Sequence, residues 1–131
     1  MIIDASAFLA IVLNEADGRR YADVIVDSER RLMSTVTRFE ASLVVDTRGD
    51  EFARSRFQTI VCGLGITFMP FTLEHAEKAR VARRTCGRGR HAADLNFGDC
   101  MVYAVAKHEG EPLLFRGNDF AQTDIETALK D

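Results

Sequence analysis

Met1-Ile2-Ile3-Asp4-Ala5-Ser6-Ala7-Phe8-Leu9-Ala10-Ile11-Val12-Leu13 opens the chain, and its pattern decides how the rest is read. Three apolar residues form a short strand, one acid interrupts, and an apolar helical stretch follows. The same unit recurs along the chain. Apolar runs at 1–3, 31–34, 65–71 and 113–115 read as strands, and helical patterns cover 5–14, 18–27, 35–48, 51–64, 72–84 and 96–109. Strands this short, separated by helices, do not pair as hairpins and call for β-α crossovers onto a parallel sheet. The spacing predicts an α/β fold, a three-layer α/β/α domain whose short-stranded, mainly parallel central sheet is flanked by helices.

The chain has 131 residues and a formal net charge of -3, with 17 Lys and Arg against 20 Asp and Glu. A chain of this length buries roughly two-thirds of its unfolded surface, so one domain spanning residues 1–131 is expected. A hydrophobic fraction of 47% excludes intrinsic disorder. Cys62, Cys86 and Cys100 form neither an even set nor a C-x-x-C pair, which argues against disulfides or a zinc knuckle and reads as small, mostly buried fillers. The longest apolar run, 7–13, falls well short of the about 18 residues of a membrane span. Asp4 and the lack of a basic start speak against a signal peptide, so a cytoplasmic protein without a membrane partner is expected.

Charge is unevenly distributed. Between Lys78 and Ala93 there are six basic residues and no acid. Arg80, Arg83, Arg84, Arg88 and Arg90, with His91 among them, form a strip suited to phosphate groups; a solvated helix face is the plainer alternative.

Four acids fall where strands end or helices begin. Asp4 follows the first strand and Asp119 follows the last, after Gly117 and Asn118. Glu40 and Asp99 stand one turn into helices that start from the same sheet edge, where open parallel sheets form their ligand crevices. Glu40 lies inside an apolar stripe of Val36, Phe39, Leu43, Val44 and Thr47, and Asp99 lies in a row with Leu95, Val102 and Ala106. An acid on a buried stripe is costly unless it is paired or binds a cation, and no Lys or Arg lies within one turn of Asp99 on its stripe. Capping accounts for each acid singly, since Thr37 to Glu40 and Asn96 to Asp99 fit capping boxes, and Asp4 and Asp119 fit N-caps. Capping does not require all four to converge. Converging carboxylates repel one another and favour a hard dication, Mg2+ or Mn2+, which suits phosphodiester hydrolysis.

Asp4-Ala5-Ser6, Glu40, Leu95-Asn96-Phe97-Gly98-Asp99-Cys100 and Arg116-Gly117-Asn118-Asp119-Phe120 together resemble the PIN domain of VapC toxins, over residues 1 to about 125. The resemblance implies a Mg2+- or Mn2+-dependent endoribonuclease. It implies the toxin of a type II toxin-antitoxin pair, cutting structured RNA such as transfer or ribosomal RNA. It further implies a homodimer and a cognate VapB-type antitoxin whose tail covers the acidic cleft. Asp4 and Asp99 then match the principal metal ligands, and Glu40 and Asp119 complete a catalytic acidic pocket directly or through water. Ser6 matches the hydroxyl that follows the first acid. Many relatives have Thr at the position of Ala5 and Ser or Thr just before the last acid; here Asn118 stands in that place and becomes a supporting candidate.

Other classes of function remain. A PIN-type nuclease of RNA maturation or decay, without an antitoxin, keeps the same chemistry. A metal-independent ribonuclease would use His75, His91 or His108 as general acid or base. A phospho-receiver-like domain shares the size and an acidic strand-end pocket, but needs adjacent acids where Asp4 is followed by Ala5.

Overall fold

The computed structural model describes residues 1–48, 50–87 and 93–130. Arg88, Arg90 and His91 lie outside them. The elements run β1 (Ile2–Ile3), α1 (Ala5–Val12), α2 (Gly18–Asp27), β2 (Leu32–Ser34), α3 (Thr35–Arg48), α4 (Glu51–Gly63), β3 (Thr67–Met69), α5 (Leu73–Cys86), α6 (Phe97–Glu109) and β4 (Leu113–Leu114). The four strands pair in parallel in the order β3-β2-β1-β4, with Ile2 beside both Leu32 and Leu113. The expected parallel α/β sheet is present.

Alternation along the strands creates the three layers. Ile3, Met33 and Leu114 join one apolar cluster with Phe8, Ile25, Ala41 and Phe57, on the side of α1 to α4. Ile2 and Leu113 face the other way, into a cluster with Leu95, Val102 and Val105 of the α6 side. Successive strand side chains point to opposite faces, so two consecutive apolar residues serve two cores. Among the described residues no helix is long and apolar enough to cross a membrane.

Local chemistry fixes the helix ends that matter for the site. Asp4 caps α1, accepting from the Ser6 amide at 3.1 Å. Asn96 and Asp99 form a reciprocal capping box at the start of α6: the Asp99 amide donates to Asn96 Oδ1 at 2.8 Å, and the Asn96 amide donates to Asp99 Oδ2 at 3.1 Å. Gly110 ends the helix in the left-handed region, φ 66°.

Four expectations need correction. The buried face of α3 is Thr37, Ala41 and Val45, whereas Phe39 and Leu43 are 62% and 48% exposed. The difference arises because α3 packs on α1 and α4, with Thr37, Ala41 and Val45 buried and Phe39 and Leu43 facing outward. Thr37 to Glu40 is not a capping box: α3 starts at Thr35, and the Thr37 amide donates to Ser34 Oγ at 3.2 Å. Of the cysteines, Cys100 is buried and Cys86 partly so, but Cys62 is exposed on α4. Likewise Asp119 caps no helix, because irregular turns follow it.

Candidate active site

The parallel topology places the carboxyl end of β1, the start of α3, the start of α6 and the segment after β4 along one edge. Asp4, one residue past β1, is 8% exposed. Burial pushes its carboxyl above the ordinary range; the Ser6 hydroxyl and the Ser6 and Ala5 amides pull it back, and the charge of Asp119 pushes it up again. Glu40 is half-buried, and its carboxyl is raised to about 6, by burial first and then by Asp4 and Asp99. Asp4 therefore feels Asp119, and Glu40 feels both Asp4 and Asp99. All four sequence-chosen acids share one field.

Two neighbours shape that field. The Ser6 hydroxyl donates to Asp4 Oδ2 and accepts from the Arg116 amide at 3.0 Å, tying the end of β1 to the segment after β4. Gly98 lies against Glu40: a Cβ built on Gly98 would collide with Glu40 Oε2 and stand 3.2 Å from Glu40 Cδ. Asn118 is exposed beside Asp119, and the structure gives its side chain no further role.

The basic strip is partly accounted for. Arg80, Arg83 and Arg84 are exposed positions of α5. The end of α5 meets the start of α6, where the Leu95 amide donates to Cys86 O at 2.9 Å. Arg83 approaches closely enough to favour the Cys100 thiolate, while burial, the strongest influence, and Asp99 oppose it. A cation thus stands near the first turn of α6, supplied by a neighbouring helix rather than by the stripe of Asp99.

A second group of possible ligands lies elsewhere. Among the described residues, one set of three such atoms falls within 4.8 Å of one another: His75, His108 and Glu109. The Thr72 amide donates to His75 Nδ1 at 3.0 Å, so the ring proton sits on Nε2, which donates to Glu109 Oε1 at 3.0 Å. Both nitrogens of this buried imidazole are therefore occupied, leaving no lone pair for a metal. The trio fastens the start of α5 to the end of α6. His108 is nine positions from Asp99 along α6, or roughly 14 Å at 1.5 Å per residue, too far to share its chemistry. No three of the four acids offer ligand atoms within 4.8 Å of one another.

A PIN domain family model matches residues 1–126. The chain is 39% identical over 127 residues to Ribonuclease VapC30 of Mycobacterium tuberculosis, covering 97% of each chain. The chain belongs to the PIN-domain family of VapC ribonucleases. Ribonuclease VapC of Mycolicibacterium smegmatis is 37% identical over 125 residues, covering 95% of this chain and 97% of that one. Mycobacterium tuberculosis VapC20, a sarcin-ricin loop cleaving toxin, shares the fold with a TM-score of 0.74 at 16% identity, covering 95% of both chains. A toxin-antitoxin complex from Klebsiella pneumoniae gives 0.72 at 14% identity, covering 99% and 98%. Membership of the VapC PIN family sets aside the phospho-receiver reading.

The positioning role of Gly98 escaped the sequence reading. The signal for it is the glycine itself, since glycine weakens a helical pattern relative to alanine and so points to a close approach.

Proposed function

We propose that this VapC-family chain is a metal-dependent endoribonuclease that hydrolyses RNA phosphodiester bonds as the toxin of a toxin-antitoxin pair. The observation that carries it is the gathering of acids at one sheet edge of a PIN fold, where the buried Asp4 carboxyl feels the charge of Asp119 and the half-buried Glu40 carboxyl feels those of Asp4 and Asp99. An all-oxygen, charge-excess donor set fits a hard dication and no soft one. Asp4 and Asp99 would hold Mg2+ or Mn2+, with Glu40 and Asp119 contributing directly or through water. When bound, such an ion lowers the pKa of water and neutralises charge on a phosphoryl oxygen.

The chain's own groups arrange the rest. Ser6 fixes the Asp4 carboxylate through its hydroxyl and amide, and Gly98 leaves room for Glu40 to lean against α6. Arg83, with Arg80 and Arg84 on the same helix, offers positive charge for phosphates flanking the cut, a role this reading extends to Arg88, Arg90 and His91. Structured RNA, a homodimer and an antitoxin over the acidic cleft belong to the same reading; the sarcin-ricin loop cleaving neighbour and the toxin-antitoxin complex support the RNA and the antitoxin.

The test is cleavage of transfer and ribosomal RNA by purified protein with MgCl2 or MnCl2. Cutting that EDTA abolishes, and that Asp99→Asn loses while its melting temperature holds, supports the reading; cutting that survives chelation refutes it. Growth arrest on expression, relieved by a small neighbouring reading frame, separates a toxin from an RNA-maturation nuclease.

A further inference from the structure

Beside the acids, a cavity of about 430 Å3 opens along the outer face of α1. Apolar Leu9, Ala10 and Leu13 line it together with Ser6, Glu15, Arg48 and Arg116. We propose that this cavity holds the base of an unpaired nucleotide next to the scissile phosphate, and so sets nucleotide preference at the cut; the inference rests on the ribonuclease reading.

Continuity with the acids is the first argument. Ser6 and Arg116 line the cavity, and the same two residues meet through the Arg116 amide and the Ser6 hydroxyl, which in turn donates to Asp4. An RNA strand whose phosphate sits at the acids therefore has its neighbouring nucleotide at the cavity mouth. Chemistry is the second argument. Aliphatic side chains offer a base an apolar surface, and the guanidinium groups of Arg48 and Arg116 offer planar cations on which bases stack. The volume lies within the roughly 300 to 1,000 Å3 typical of ligand cavities.

The cations are also held loosely enough to change partners. Arg116 Nε is 2.9 Å from Asp17 Oδ2, and Arg48 is 4.0 Å from Glu15. Exposed pairs of this kind contribute about 0–1 kcal/mol, so a phosphate can replace a carboxylate at little cost. Leu9 and Leu13 are only partly buried, which leaves the apolar lining accessible. Continuity with the acids, where a phosphate would sit, favours an RNA strand over a peptide.

Amide shifts in 15N-labelled Asp99→Asn protein, titrated with AMP, GMP, CMP or UMP, test the assignment directly. At least one mononucleotide should move the amides of Leu9, Leu13 and Gly117, and ribose 5-phosphate, which lacks a base, should not. Leu13→Trp, which fills the cavity, should weaken that binding roughly tenfold. In a randomised oligoribonucleotide pool with MnCl2, Leu13→Trp and the surface variant Arg48→Ala should flatten the preference on one side of the cut while cutting continues. Nucleotides that act no differently from ribose 5-phosphate, or an unchanged preference profile, would overturn the proposal and leave the cavity to a protein partner. A pool left intact by the unmodified enzyme would refute the ribonuclease reading instead, with the mononucleotide titration still deciding the cavity.

Discussion

The carboxylate of Glu40 rests on the bare Cα of Gly98, so one helix carries an acid and another supplies the space it occupies. Any larger residue at this helical position would displace the Glu40 carboxylate from where it now sits.

Gly98→Ala separates stability from activity. Alanine favours the helix by up to about 1 kcal/mol, and the colliding atom is the end of a flexible side chain. The melting temperature should hold or rise, while RNA cleavage falls by at least tenfold. Equal activity in the two proteins would show that the position of Glu40 is immaterial.

Glu40 makes stability depend on pH. Its folded carboxyl titrates at about 6, above the ordinary 4.5, so the folded state holds the proton more tightly than the unfolded one. The associated stability is complete below pH 4.5 and lost as pH rises through 6. Solvent screening of this half-exposed group limits the effect to about 1 kcal/mol. Urea titrations of wild type and Glu40→Gln, without divalent ions, should converge at low pH and diverge in favour of the variant above pH 6.

Proton and metal compete for the same acids. A dication at 100-fold excess over Kd should stabilise the fold by about 2.7 kcal/mol, equivalent to roughly 8–10 °C in Tm for a chain of this size. Asp4→Asn keeps the helix cap and should lose most of that shift. A calorimetric Kd for Mn2+ should weaken below pH 6 as Glu40 takes up its proton.

Ser6→Ala removes the hydroxyl shared by Asp4 and the Arg116 amide. The expected result is a loss of about 1 kcal/mol, a further rise in the Asp4 pKa and slower cleavage. Ser6→Thr restores the hydroxyl and should recover much of the rate.

His75→Ala and Glu109→Gln should act on the fold rather than on the chemistry. Removing His75 opens a buried gap and strands the Thr72 amide, at a cost of about 2–4 kcal/mol. Below the lowered melting temperature, cleavage per folded molecule should stay close to wild type. A collapse of kcat alone would restore histidine chemistry to consideration.

Order and type of the elements were legible in the sequence because they depend on neighbours a few residues apart. The Met1–Ile3 run, the Asp4 cap and the Asn96–Asp99 box are local devices, and the structure reproduces each with small shifts at the ends. The acids at strand ends were equally legible, since a parallel sheet sends every strand's carboxyl end to one edge. What only the tertiary structure decided is which side chains meet across that edge. Crossovers carry α3 against α6, so Glu40 finds Gly98, and they bring the end of α5 to the start of α6, so Arg83 nears Asp99's helix. The face that α3 buries, the His75 fastening and the cavity beside Ser6 follow from the same cause: pairings between distant segments are set by how whole layers pack, and no periodicity within one segment encodes them.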